Sequence, residues 1–229
     1  MRRLGVVGLE EDEVQGLCAV LRSLRGRLEA FSIRDFCRGD PSAEQLAPLL
    51  AALPASCSAL DVRHALPLAR ALAGVPATVR ALGTVVLMAE IYYHSRVVGM
   101  SFSHFRSHFP TLPAVTELHV VMGPGHYEEP TWPQGARGAA AVAAALQEKL
   151  PVLSTLIVEA MVESLAVPPV VEIAHALRSR GVRCVVRDIR AASRRIDAAT
   201  VASIAAGLRA ADVEMAPRAS GLADNHKVG

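Results

Sequence analysis

Two histidines at a chelating interval are the first residues in this sequence that could do chemistry. His104 and His108 lie four residues apart in a segment of helical period, and that interval can place two imidazoles on one metal ion. The first histidine is not followed by the glutamate of an HExxH motif, and Phe102, Phe105 and Phe109 take the buried stripe of the same segment. We therefore expect surface histidines at the edge of a helix and no metal.

Motifs for covalent catalysis and nucleotide binding are incomplete in the sequence. The segment from Ser101 to Ser107 combines serines with histidines, but it has no GxSxG turn and no recognisable third member of a triad. Gly5 and Gly8 follow neither the GxGxxG nor the GxxxxGK[ST] pattern. The acidic residues from Glu10 to Glu13 are typical of a solvated helix start. These absences predict a protein that is not an enzyme and needs no cofactor.

Composition narrows the classes of partner and compartment. The net charge is +2 and 52% of the residues are hydrophobic, which favours a globular chain and gives no field that attracts nucleic acid or an anionic membrane. No apolar run reaches the ~20 residues that span a bilayer, and the start has no signal-peptide core. The four cysteines, without a CxxC pair, indicate buried free thiols. We expect a soluble, intracellular, cytoplasmic protein.

Two long insertions carry residues suited to recognition of another protein. They span about 91–101 and 123–137, and each follows a predicted strand and precedes a predicted helix. Large rigid rings with charged neighbours are typical of interface hot spots. The alternative is that the rings pack back onto the domain and only fix the loops. The candidate partner-binding residues in the insertions are Tyr92, Tyr93, His94, Arg96, His126, Tyr127, Glu128, Glu129 and Trp132.

A recurring motif of an apolar residue with an adjacent proline marks the elements that would position these loops. Four times a helical segment ends in an apolar residue with an adjacent proline, and six or seven residues after that apolar residue a leucine opens a short strand. The helical segments between the strands each have one apolar stripe, such as Val14, Cys18 and Leu21. This predicts a repeat of one strand and one helix with insertions. The strand anchors are Phe31, Leu60, Leu82, Leu118, Leu156 and Val185.

The segments Leu112 to Val120 and Leu150 to Val158 resemble the LxxLxL strand of leucine-rich-repeat proteins of the ribonuclease-inhibitor or F-box-associated type. The resemblance covers about residues 4–210 and implies an α/β solenoid of six to seven repeats. Its parallel strands would line a concave face, with helices on the convex face. The family's ladder asparagine or cysteine is replaced at the corresponding positions, so we expect degenerate repeats.

Alternation along the predicted strands selects the residues of the concave face. Leu60, Leu118 and Leu156 point into the core, so their neighbours must point the other way. Arg63 and His119 on this face join the candidate binding residues. The alternative is a face that is merely solvated. The predicted face contains Ser32, Arg34, Asp61, Arg63, His119, Ile157 and Glu159.

The sequence therefore predicts one α/β repeat domain over 1–214 and a flexible tail over 215–229. The expected function is a non-catalytic protein-binding module or scaffold, with possible self-association through exposed repeat ends. One alternative is an α/β enzyme with a doubly wound sheet and a pocket at the strand carboxyl ends. Another is the substrate-recognition subunit of a ubiquitin-ligase-type complex, which would need an F-box that the first 25 residues are too short to hold.

Overall fold

A computed structural model of the chain shows an α/β fold built on one large sheet. The structure describes residues 2–10, 12–36, 43–63, 71–87, 92–93, 96–97, 100–122, 135–162, 170–191, 198–210 and 213–215. The strands are β1 Arg3–Leu9, β2 Ala30–Phe36, β3 Ala59–Arg63, β4 Ala81–Leu87, β5 Tyr92–Tyr93, β6 Arg96–Val97, β7 Glu117–Met122, β8 Thr155–Val162, β9 Arg183–Ala191 and β10 Glu214–Met215. The helices are α1 Glu13–Ser23, α2 Ala43–Ala51, α3 Phe102–His108, α4 Gly135–Lys149, α5 Val170–Arg178 and α6 Ala198–Ala210, with a 3₁₀ turn at Leu72–Gly74.

The large sheet follows chain order from one edge to the other. Its order is β1-β2-β3-β4-β7-β8-β9-β10, every pairing is parallel, and β5 pairs antiparallel with β6 as a separate hairpin. Seven of the eight strands have five to nine residues and β10 has two. The described strands contain no reversal of order, which is the feature that a doubly wound sheet requires.

A row of paired apolar residues, one from each strand, crosses seven strands of the large sheet. The row runs from β1 to β9 in sheet order, and every residue in it is fully or partly buried. Because each buried leucine contributes about 1.5–3 kcal/mol, this row alone stabilises the sheet substantially. The predicted anchors are confirmed except in β9, where Cys184 rather than Val185 pairs with Leu156. The row is Leu4, Phe31, Leu60, Leu82, Leu118, Leu156 and Cys184.

The helices bury their apolar stripes in the same core as this row. Helix α1 contributes Val14, Cys18 and Leu21, all less than 8% exposed, and the ring of Phe105 in α3 stacks on that of Phe109, the residue that caps this helix. Consecutive helices also contact one another, α1 with α2 and α4 with α5. Among the described helices, none is long and apolar enough to cross a membrane.

A repeated backbone motif joins consecutive strand–helix units just before five strands, β2, β3, β4, β7 and β8. Two consecutive amides donate to a single carbonyl of the preceding repeat: Ser58 and Ala59 donate to Glu29, and Thr116 and Glu117 donate to Arg80, at 2.8 to 3.1 Å. The same arrangement recurs at Arg2, Ser58 and Thr116 as acceptors. This recurrence ties each strand start to its neighbour and satisfies backbone groups that would otherwise be unpaired.

Hydroxyl side chains add to this junction at three strand starts. The Oγ of Ser154 donates to the carbonyl of Thr116 at 3.0 Å, and the hydroxyls of Ser58 and Thr116 donate to the equivalent carbonyls at 3.4 Å. The leucine-rich-repeat resemblance places its ladder after the strand, where asparagine is missing here. In this chain a hydroxyl ladder lies before the strand instead.

Each of the four apolar–proline motifs forms the same kind of tight turn, in which the proline occupies either the first or the second position. In each of four repeats an amide donates to a carbonyl three residues earlier, as from Cys57 to Pro54 and from Leu153 to Leu150. Proline is the first residue of this turn at Pro54 and the second at Pro151, where its fixed φ suits the turn. This difference explains the two spacings in the sequence.

Three observations bear on predicted boundaries. Helix α4 begins at Gly135, near the end of the insertion predicted over about 123–137. Met215, the first residue of the tail predicted over 215–229, pairs with Val186 in β10. The sheet has seven strands of five to nine residues and the two-residue β10, and about six to seven repeats are predicted.

Candidate binding surface

The sheet has a second face, opposite the buried row, which we call the open face. Its described residues alternate with the buried ones and are mostly exposed or half-buried. Period-two alternation requires this separation, because successive side chains of a strand point to opposite sides. The open face contains Arg3, Ala30, Ala59, Ala81, Glu117, Thr155 and Arg183 in one register row. In the next row, Gly5, Ser32, Asp61 and Gly83 are in register on β1 to β4, and His119, Ile157 and Val185 are in register on β7 to β9.

The half of the open face formed by β1 to β4 is lined by small residues. Ala30, Ala59 and Ala81 are register neighbours. A Cβ built on Gly5 would lie 3.0 Å from the Oγ of Ser32, so a larger residue there would force that hydroxyl to move. Asp61 lies between Ser32 and Gly83 in register. Because these small side chains project little from the sheet, the backbone of a bound partner can approach this half of the face closely.

The other half of the open face contains a paired histidine and glutamate. The Nε2 of His119 on β7 lies 3.2 Å from the Oε1 of Glu159 on β8, and each side chain is 12% exposed. Among the described residues, Glu159 is the one charged or polar residue in the buried class. The Nε2 has no hydrogen bond of acceptable angle within the described part of the chain, so the contact is close without being an aligned hydrogen bond. A buried carboxylate needs such a partner.

Two irregularities in the sheet flank this pair. The register of β8 with β9 shifts after Val158, so Glu159 pairs with Asp188 and Arg187 is the extra residue. The register of β4 with β7 shifts between Leu82 and Val85. Such bulges bend a strand and change the direction of its side chains, and they are frequent near functional sites.

The chemistry available to the pair is limited by its neighbours. A carboxylate can orient an imidazole for proton transfer to a nucleophile, as in a triad. The register partner of His119 is Ile157, which supplies no nucleophile. A polar pair beside apolar Ile157 and Val185 instead offers a polar anchor within an apolar surface, which suits recognition of another molecule.

The predicted site residues divide into three groups. His119 lies on the open face as predicted. Arg63, Tyr92, Tyr93 and Arg96 are placed by their backbones: Arg63 ends β3 opposite Arg34, and the hairpin pairs Tyr92 with Val97 and Tyr93 with Arg96. The remaining predicted residues lie outside the described ranges; they are His94, His126, Tyr127, Glu128, Glu129 and Trp132.

The two aromatic segments leave the sheet from neighbouring strands. Leu87 and Met122, the last residues of β4 and β7, are register partners. Both segments therefore start side by side at the carboxyl edge of the sheet, as stacking of equivalent repeat positions predicts.

The pairing of His119 with Glu159 is the feature of the site that sequence reasoning missed. Alternation places both residues on the open face. His119 on β7 is in register with Ile157 on the neighbouring strand β8, whereas it contacts Glu159, two residues further along β8. The signal that could have found it is a histidine and a glutamate at nearby register positions of consecutive predicted strands, each flanked by valine.

Other polar clusters among the described residues are less developed. The rings of His104 and His108 lie 4.3 Å apart on α3, and Ser101 caps that helix by accepting from the His104 amide at 3.3 Å. Within the described ranges no group of three or more metal-ligating residues occurs. A cavity of about 510 Å³ beside α5, β9 and β10 is lined in part by Arg178 and by the Arg183–Glu214 ion pair.

Burial makes two thiols poor nucleophiles. Burial raises the pKa of Cys184 to about 12, and burial also raises the pKa of Cys57, although backbone hydrogen bonds from Ala59 and Phe31 act in the opposite direction. Cys18, Cys57 and Cys184 are free thiols. Because the thiolate is the reactive form, Cys57 and Cys184 are structural residues.

Comparison with protein families, with curated proteins and with solved structures finds no match to this chain. The functional argument therefore depends on the residues of the open face and of the two segments that start beside it.

Proposed function

We propose that the chain is a non-catalytic protein-binding module with the architecture of a degenerate leucine-rich-repeat solenoid. Its binding surface combines the open face with the two aromatic segments that follow β4 and β7. The partner is another protein, and no cofactor or metal takes part. In this arrangement the buried row and the helices are the scaffold.

The observation that carries the proposal is a parallel sheet in sequential order whose open face lies opposite the core. Parallel sheets are usually covered on both faces, because crossover helices pack on each side. A solenoid instead packs its helices on one face of the sheet and uses the other face to bind extended surfaces. The repeated double-amide junction supports the same architecture, since it gives each repeat the same relation to the one before it.

The charges of the open face favour a protein over nucleic acid. Asp61, Glu117 and Glu159 place carboxylates on β3, β7 and β8, while β1, β2, β3 and β9 carry Arg3, Arg34, Arg63 and Arg183. A phosphate backbone along the face would meet both signs of charge. A protein surface with charges of both signs and apolar side chains complements this pattern.

The aromatic segments supply the anchor residues of the proposed surface. Tyrosine and tryptophan bury large areas at small entropic cost, and they dominate the binding energy of many interfaces. Because Leu87 and Met122 are register partners, residues of both segments start from one edge and reach a common partner.

The first test replaces Tyr92, Tyr93 and Trp132 together with alanine. We expect unchanged far-ultraviolet circular dichroism and unfolding, together with loss of partner capture from a lysate of the source cells. Loss of the fold instead would show that the rings fix the loops to the domain. Unchanged capture would contradict a role for the segments in binding.

The second test maps the surface with a photo-crosslinking amino acid. We place it at Ser32 or Ile157 on the open face, and at the exposed Gln15 or Ala144 on helices as matched controls. The proposal predicts that one protein is crosslinked from the open-face positions, and that the triple alanine variant loses it. Crosslinks of equal yield from the helix positions would contradict it.

A further inference from the structure

The two edges of the large sheet differ in how well they are protected against pairing. The β10 edge has two residues, and Glu214 there forms an ion pair with Arg183. The β1 edge has seven residues, and from Leu4 to Leu9 it contains no charged residue and no proline. Proteins usually blunt an exposed edge with charge, proline or short length, so β1 is the unprotected edge.

The outer edge of β1 presents unpaired backbone groups as far as Val7, and the left-handed φ of 70° at Gly8 ends the regular alternation there. The carbonyl of Arg2 accepts from the Ala30 amide, so the even-numbered residues bond to β2. In a parallel ladder the alternate residues then direct their amides and carbonyls outward. Arg3, Gly5 and Val7 are these residues, and none of the described strands pairs with them on that side.

The first repeat also exposes apolar side chains. Three large hydrophobic residues are exposed in the described part of the chain, and two of them, Val7 at 70% and Val20 at 48%, lie in β1 and α1. Val7 is on the open face, in line with Gly5 and Arg3. An edge that combines free backbone groups with exposed valine is suited to pairing with another strand.

The charges that flank β1 identify a second copy of the chain as the occupant. Arg2 and Arg3 lie at its start, and Glu10, Asp12 and Glu13 follow its end. An antiparallel pairing centred on Val6 brings the start of β1 in one copy beside the end of β1 in the other, so Arg2 lies near Glu10 twice by symmetry. The same pairing places Val7 of each copy over Gly5 of the other, where no side chain obstructs it. Parallel pairing would instead align like charges.

We propose that two copies of this chain form a two-fold dimer by antiparallel pairing of their β1 strands, which joins their sheets into one continuous sheet. Gly5 and Val7 form the hydrogen-bonded pair across the axis. Because an in-plane antiparallel pairing keeps the faces of both sheets aligned, the two open faces become one extended surface. This goes beyond binding by a single copy and does not depend on the partner's identity.

The test measures association of the full chain by sedimentation velocity over about 1 to 200 μM, a range that detects micromolar dimers. We expect a concentration-dependent monomer–dimer equilibrium. Val7→Lys places a charge on the edge and should abolish the dimer, whereas Val152→Lys, at an exposed valine outside the first repeat, should leave it unchanged. A monomer at every concentration, as when another segment of the chain covers β1, would overturn the proposal. A dimer that Val7→Lys does not weaken would do the same.

Two further variant sets test the register without depending on Val7→Lys. Arg2→Glu and Glu10→Arg should each weaken the dimer about tenfold, and the double variant should restore it, since opposite charges across strands attract and like charges repel. Val6→Cys should form an intermolecular disulfide on mild oxidation, because this pair meets at the axis, while Leu4→Cys should not. Failure of the rescue together with equal crosslinking at both positions would refute the β1 pairing.

Discussion

The His119–Glu159 pair provides the most discriminating test of how the open face is built. Both side chains are 12% exposed, and the Nε2 to Oε1 distance is 3.2 Å. Burial of a carboxylate costs several kcal/mol unless polar groups face it, and the attraction of such a group offsets much of that cost. The net stabilisation is therefore small, while an unpaired member of the pair is expensive.

A double-mutant cycle separates these contributions. We expect His119→Leu to lower the free energy of unfolding by about 3 kcal/mol, because it removes the imidazole that faces the buried Glu159 carboxylate. Glu159→Leu should cost about 1–2 kcal/mol, because an imidazole is less expensive to bury than a carboxylate. The double variant should unfold within about 1 kcal/mol of the parent chain, since two well-packed apolar residues replace a buried pair at little cost.

The assay is urea unfolding followed by circular dichroism, with equal slopes required for all four proteins. The exposed Arg183–Glu214 pair serves as the matched control, because screening by water should give it a smaller coupling. A coupling energy near zero between His119 and Glu159 would refute the reasoning. So would a double variant as unstable as the His119→Leu protein, since it would show that the open face depends on the pair for its packing.

Two further predictions follow from perturbed ionisation. Burial raises the pKa of Cys184 to about 12 and also raises the pKa of Cys57, so both thiols should resist iodoacetamide at pH 8 in the folded chain and react in urea. Peptide mass spectrometry resolves modification at each cysteine. Rapid modification of either thiol in buffer would contradict its burial. The Arg183 guanidinium lowers the pKa of Glu214 below its ordinary value near 4.5, so this carboxylate stabilises the docking of β10 above that value, and the stabilisation is lost as the pH falls through the lowered pKa. Hydrogen exchange at Met215 should therefore accelerate relative to the β8 core as the pH falls below about 4.5, and an equal change in Arg183→Gln would contradict the pairing.

The sequence by itself determined the local elements and the face that each buries. Period-two alternation at Leu118-His119-Val120 and Leu156-Ile157-Val158 predicted which side chains enter the core, and the structure confirms it. The tight turns were also visible, because proline restricts the backbone at Pro54, Pro76, Pro113 and Pro151 whatever the tertiary context. These signals depend on residues close together in the chain.

Only the tertiary structure decided which strands lie beside each other and with what register. The contact between His119 and Glu159 depends on how β7 aligns with β8, and a bulge after Val158 changes the next pairing of β8 with β9. The predicted anchor Val185 is wrong by one position because the register of β9 is set by the row to which Cys184 belongs. Pairing between strands is a long-range interaction, so a periodicity fixes the faces of a strand and leaves its partner and alignment to the packed core.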